Sequence, residues 1–254
     1  MNKKVIFVHG EKGGSGKSVV SSVIVDYYIN NNETVLLIEG DNSTPDVARR
    51  YADDDRVDCV QTSLGAKDPT AAVANIINFV GNGDYDRVVI NLPSRAADTI
   101  DPLADELIKP AFEMLGYEIV VLFVVAEKID SPVQANESLK NGLVSIANQY
   151  IAVLNQKSDN VTVDNYLWAT NPDACRREWL QSGGLEAYLP HLHQRALQLV
   201  ENGAYSDYLT SNQINIAERI LLKRWIDEAH KIGDLIETEA ESEKEVEAEN
   251  EEAA

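Results

Sequence analysis

Val5-Ile6-Phe7-Val8-His9-Gly10-Glu11-Lys12-Gly13-Gly14-Ser15-Gly16-Lys17-Ser18 joins an apolar run to a glycine-rich turn. Val19, Val20, Val23, Ile24, Tyr27 and Tyr28 follow at helical spacing, so the segment predicts a buried strand, a loop and a helix. Glycines in such a loop let backbone N–H groups converge on phosphate oxygens, and the helix start adds positive potential. Lys17 is placed to reach the β- and γ-phosphates, and the Ser18 hydroxyl to ligate Mg²⁺. Glu11, Lys12, Gly13, Gly14, Ser15, Gly16, Lys17, Ser18 and Val19 are therefore the candidate nucleotide-binding residues.

Outward from this loop the chain alternates between apolar strands and helical patterns. Thr34–Ile38 (TVLLI), Arg87–Leu92 (RVVINL) and Ile119–Ala126 predict buried strands, and Ala71 to Val80 predicts a helix leading into the second of them. Thr99 to Leu115 looks helical, interrupted at Pro102 and Pro110. Asp130-Ser131-Pro132 is a good helix start, and a long helix is expected from there towards Gln156. Asn165–Thr170 (NYLWAT) reads as a further strand, and Ala217, Ile220, Leu221, Trp225 and Ala229 as one face of a late helix. Continuous apolar strands alternating with helices predict an α/β fold, a mostly parallel sheet covered on both faces, with ligands at the carboxyl ends of the strands. A single P-loop domain is expected over residues 1–236, followed by an acidic, disordered tail over 237–254.

Composition narrows the partners. The chain has 254 residues, 44% apolar and 25% charged, enough for one sizeable core. Its net charge is −20; nine glutamates and one lysine from Glu237 to Ala254 carry −8 of it, leaving −12 for residues 1–236. An acidic body argues against a broad DNA-coating surface, because duplex binding relies on cations at phosphates. The pairs Arg49-Arg50, Arg176-Arg177 and Lys223-Arg224 could touch non-specific DNA only if the fold gathers them on one face. No apolar run is long enough to span a membrane and no basic amphipathic helix ends the chain, so no membrane contact and a cytoplasmic location are expected. Cys59 and Cys175 suggest neither a disulfide nor a metal site, and the His191-Leu192-His193 pair lacks a completing ligand.

Glu11 stands where the strict GxxxxGK[ST] pattern has its first glycine, and the remaining KGGSGKS resembles the deviant Walker motif of the ParA/MinD family. The resemblance implies an ATPase using ATP and Mg²⁺ that closes as a homodimer on ATP, with Lys12 reaching across to the partner's nucleotide. Leu36–Asn42 (LLIEGDN) resembles the family's LLIDxDPQ segment; Asp41 would then polarise the attacking water, the alternative being a cap on the next helix. Lys12, Lys17 and Asp41 are thus the implied catalytic residues.

Tyr85–Ser94 (YDRVVINLPS) is similar to the family's YDxIIIDxPPS, with Asn91 where the aspartate belongs. Asparagine can bond a metal-bound water but brings no charge to Mg²⁺, which implies slow hydrolysis or, alternatively, a nucleotide-holding adaptor. Asn171-Pro172 resembles the place where relatives set an asparagine against the adenine ring, although such a pair is also an ordinary turn. Leu115–Val125, this turn and Gly203–Tyr208 (GAYSDY) look like the ParA-like ATPases of plasmid conjugal-transfer operons, of the TraL or MobD kind. Partition, positioning or transfer of a cargo, with a protein partner that stimulates hydrolysis, is the implied role.

Overall fold

The structure, a computed structural model, describes residues 2–238 except 11–12, 65–67, 127–129, 159–160, 171–174, 193–195, 197 and 199. Seven parallel strands among these form one sheet: β1 (Lys3–His9), β2 (Val35–Glu39), β3 (Val57–Gln61), β4 (Arg87–Asn91), β5 (Tyr117–Val125), β6 (Gln149–Asn155) and β7 (Leu185–Leu189). Their spatial order is β3-β2-β4-β1-β5-β6-β7, which puts the first strand of the chain at the centre. Parallel neighbours need crossover connections, and these lay helices on both faces, as the apolar strands predict.

Alternation along β1 splits the core in two. Val5 and Phe7 face one side with Leu36, Ile38, Val88 and Ile90, packed against α3 (Pro69–Gly81), α5 (Lys109–Leu115), α6 (Asp130–Asn141) and α8 (Cys175–Gln181). Ile6 and Val8 face the other with Leu37 and Val89, under α1 (Lys17–Asn30), α2 (Asp46–Arg50) and α9 (Ile216–Ala229). Helix α1 is buried nearly all round, including Asp26, whose carboxylate is satisfied by the Ser206 N–H and hydroxyl and by His230.

Several sequence expectations need correction. The long helix expected towards Gln156 stops at Asn141; Gly142 leaves the helical region, a 3₁₀ turn follows over Leu143–Ile146, and β6 begins at Gln149. NYLWAT is not a strand but a 3₁₀ turn and the short α7 (Leu167–Thr170), because Tyr166 and Trp168 both enter the core on the Trp179 side. By contrast, the interrupted helix expected over 99–115 is present: α4 (Ala97–Ile100) gives way to a 3₁₀ turn holding Pro102 and a π turn before α5, which has Pro110 in its first turn. On α9 the buried stripe is Leu222, Trp225, Ile226 and Ala229, while Ile220 and Leu221 are each 56% exposed.

The amino end of the sheet is closed by the helix over 231–238. Lys4 Nζ donates to the Ile236 carbonyl (2.6 Å), and Gln149 Nε2 to the Leu235 carbonyl (2.9 Å). Arg87, fully buried, bridges Glu33 (3.3 Å) and Glu237 (3.1 Å), and Glu237 also accepts from the Tyr28 hydroxyl (2.9 Å). Glu237, the first residue of the expected tail, is therefore engaged by the core; residues 239–254 lie outside the described ones. Removing one partner of a buried ion pair strands the other charge. Arg87→Met is expected to lower unfolding free energy by about 3–5 kcal/mol in a denaturant titration. A loss within the error of the fit would show that this bridge holds nothing.

Candidate nucleotide site

At the open, carboxyl end of the sheet, β1 hands over to α1 through the glycine loop. Gly14 (φ 71°) and Gly16 (φ 106°) take left-handed backbone, which an L side chain rarely adopts. A Cβ on Gly16 would also collide with the Asn155 carboxamide. Gly16 precedes α1 without any side-chain cap, and the first turn of the helix holds no acidic residue. A long helix that starts without a side-chain cap is a common seat for an anion. Ser15 Oγ is buried with no hydrogen-bond partner, and Lys17 is 8% exposed beside it in the chain. Uncapped amides, an orphaned hydroxyl and a sheltered lysine fit a phosphate group. Glu11 and Lys12 lie outside the described residues, as does Asn171.

Strand β6 braces this loop, which the sequence reading missed. Asn155 Nδ2 donates to the Ser15 carbonyl (2.8 Å), and Lys157 Nζ to the Gly14 carbonyl (2.6 Å). The signal was present: Tyr150-Ile151-Ala152-Val153-Leu154-Asn155 is an apolar run ending in a polar residue, concealed by extending α6 across it. A cavity of about 490 Å³ opens between the first turns of α1 and α2, with Ser18, Val19, Ser22, Arg50 and Tyr205 in its wall.

The acidic side of the site comes from β2 and β4. Glu39 pairs with Asn91 across the ladder, and both point to the α1 face, like Leu37 and Val89 two residues earlier. Asn91 Nδ2 donates to Glu39 Oε1 (2.8 Å), and the Ser21 hydroxyl donates to Asn91 Oδ1 (3.0 Å). Glu39 also accepts from the N–H groups of Asp41 (3.0 Å), Val47 (3.2 Å) and Ala48 (3.4 Å). Burial raises its pKa, an effect these donors oppose. Capping of α2, one reading of Asp41, thus falls to Glu39.

Asp41 is half-buried at the mouth of the site. Its Oδ1 accepts from the Ser43 N–H (3.0 Å), the Ser43 hydroxyl (2.5 Å) and the Thr44 N–H (3.2 Å), and its Oδ2 from the Thr44 hydroxyl (3.1 Å). Partial desolvation pushes its pKa up, but those donors outweigh it and hold the carboxyl below its usual value. Such an anion can orient water; it is a weak base.

His9, fully buried at the end of β1, stands edge-on to Phe123 with both ring nitrogens unbonded. Asp101 Oδ1 lies 3.8 Å from Nε2, beyond hydrogen-bonding reach. Burial first, and then the positive charge of Lys17, push its pKa down to about 3.

The basic pairs are not gathered. Arg50 is buried with its guanidinium 3.8 Å from the Tyr205 ring, Arg176 is held by Glu186 (2.7 Å), and Lys223 by Asp227 (2.9 Å). Helix α8, which carries Arg176, lies across the sheet from α2 and α9. His193 lies outside the described residues, and among the described ones no group of three potential metal ligands occurs. No helix among them is long and apolar enough to cross a membrane.

Solved structures share this fold. The cell division ATPase MinD of Pyrococcus furiosus superposes with a TM-score of 0.50 at 17% identity, over 91% of this chain and 100% of that one. MinD of Pyrococcus horikoshii, complexed with Mg-ADP, gives 0.52 at 14% over 92% and 97%, and MinD of Aquifex aeolicus gives 0.50 at 14% over 91% and 97%. At such identities the likeness speaks for fold. The described part of the KGGSGKS loop, Gly13 to Ser18, stands between β1 and the start of α1, where the sequence places it. The chain is also similar to Protein MobD of Acidithiobacillus ferrooxidans, at 27% identity over 232 residues, across 91% of this chain and 97% of that protein. No family model matches the chain.

The histidine gives a measurable consequence. Unfolded, His9 takes up a proton near pH 6.5; folded, it does so only near pH 3. Its contribution to stability is complete above pH 6.5 and is lost progressively down to about pH 3, by up to about 1.4 kcal/mol per pH unit. His9→Gln is expected to flatten the unfolding free energy over that window relative to the parent; parallel profiles would rule out a neutral buried imidazole.

Proposed function

We propose that this chain binds Mg-ATP in the loop from Glu11 to Val19, hydrolyses it slowly, and closes on it as a homodimer that positions a cargo such as plasmid DNA or a transfer complex. The observation that carries this reading is the uncapped start of α1 behind a left-handed Gly16, with Lys17 and the unpartnered Ser15 hydroxyl at the same turn. The Mg-ADP complex of the Pyrococcus horikoshii relative supports the choice of nucleotide and metal.

In this reading the loop amides and Lys17 would hold the β- and γ-phosphates, Ser18 would hold Mg²⁺, and Asn91 would reach the metal through water. Bound magnesium would neutralise charge developing on the transferred phosphoryl group. Asp41 orients the attacking water without deprotonating it, as its lowered pKa suggests. Asn171 and the brace from Asn155 and Lys157 would border the base. Lys12 crosses to the partner's nucleotide, so the closed dimer depends on ATP. Residues 1–236 form the ATPase body, and the glutamate-rich tail keeps it soluble or meets a basic partner. The basic pairs lie on opposite faces of the sheet, with Arg176 and Lys223 held by carboxylates, so non-specific DNA would be a minor partner.

Sedimentation with and without ATP tests this. A dimer should form only with nucleotide and be lost in Lys12→Ala, while Asp41→Ala should cut phosphate release at least roughly tenfold without dissolving the dimer. A chain that stays monomeric with ATP, or that dimerises equally well without Lys12, would refute the nucleotide-gated dimer.

A further inference from the structure

We propose that Glu39 is the positioning acid on the metal side of this site, turning the Asn91 amide so that its oxygen faces α1 and supplying the negative charge that Asn91 itself lacks. The metal chemistry rests on the Mg-nucleotide reading above; the pairing of the two side chains rests on their geometry alone.

Glu39 and Asn91 are lateral neighbours in the parallel ladder, at 0% and 1% exposure. Among the described residues, the groups that hydrogen-bond the Glu39 carboxylate are donors: the Asp41 N–H and Asn91 Nδ2 on Oε1, the Val47 and Ala48 N–H groups on Oε2. An acceptor-only group among four donors leaves the Asn91 amide one orientation, with nitrogen towards Glu39. Its Oδ1 is thereby presented to α1, where the Ser21 hydroxyl donates to it at 3.0 Å, three residues after Ser18. That is the end of an amide able to accept from a metal-bound water. A hydrogen bond to a charged acceptor is stronger than a neutral one and polarises the amide, so charge on Glu39 strengthens Oδ1 as an acceptor.

The same anion also ties the Asp41 backbone and the start of α2 to β4. The water-orienting loop and the metal-side residue thus share one anchor. An aspartate at 91, the apparent repair of the site, would instead place two buried carboxylates face to face where Nδ2 and Oε1 now lie 2.8 Å apart.

Asn91→Asp, Glu39→Gln and the double variant test this in two ways on the full chain. In thermal unfolding without nucleotide, Asn91→Asp should melt about 5 °C or more below the parent, and adding Glu39→Gln should recover most of that loss. In Mg²⁺ titrations of a fluorescent ADP analogue, Glu39→Gln should lose at least about tenfold of the affinity gained from magnesium while keeping its magnesium-free affinity, and the double variant should regain that response. Should Glu39→Gln not fold, Asn91→Ala is read in its place with the same expectation.

Strictly additive melting shifts would overturn the pairing, and an unchanged magnesium response in Glu39→Gln or Asn91→Ala would overturn the positioning role. A parent chain that binds no nucleotide would instead refute the Mg-nucleotide reading and the metal role with it, while the melting cycle would still judge the Glu39–Asn91 pair.

Discussion

The structure depends on turning a buried central strand into a helix whose start carries no side-chain cap. That turn needs left-handed backbone, which L side chains rarely adopt, at Gly14 and Gly16, and room for the Asn155 carboxamide where a Cβ at Gly16 would stand. Asn155 in return fastens the Ser15 carbonyl, so β1, α1 and β6 are fixed relative to one another by one side chain. Burial of β1 on both faces holds the turn at the middle of the sheet's carboxyl edge. The amino edge is sealed by Lys4, Arg87 and Gln149 reaching to 235–237, so the two ends of the sheet have divided labour.

Charge around the turn is arranged by depth. His9, beneath the loop, stays neutral, so Lys17 has no second buried cation beside it. One carboxylate, Glu39, is sunk among donors and acts on its neighbours; the other, Asp41, is nearer solvent and has its oxygens occupied by Ser43 and Thr44. Asn91 links the two regions by facing Glu39 with its nitrogen and α1 with its oxygen. Asn91 and Glu39 are therefore best read as a pair.

What could be read from sequence was what burial writes into it. Strands β1, β2, β4 and β5 lie inside the sheet with apolar side chains on both faces, and so stand out as unbroken runs. Strands β3 (VDCVQ) and β7 (LEAYL) lie at its edges and carry polar residues among the apolar ones, which blurs the signal. Strand β6 was hidden because the helical pattern of α6 runs on until Gly142. The phosphate loop was legible because its chemistry is local. The Glu39–Asn91 contact was not, since it arises from ladder register between residues 52 apart in sequence. Asn155 at Ser15 is likewise a product of β6 lying two strands from β1.

Equilibrium binding of a fluorescent ATP analogue in the presence of magnesium is the most direct test of a phosphate-gripping turn. Saturable binding by the parent and a loss of at least about tenfold in affinity for Lys17→Ala, at unchanged melting temperature, is the predicted result. No saturable binding, or equal affinity in parent and variant, would contradict it.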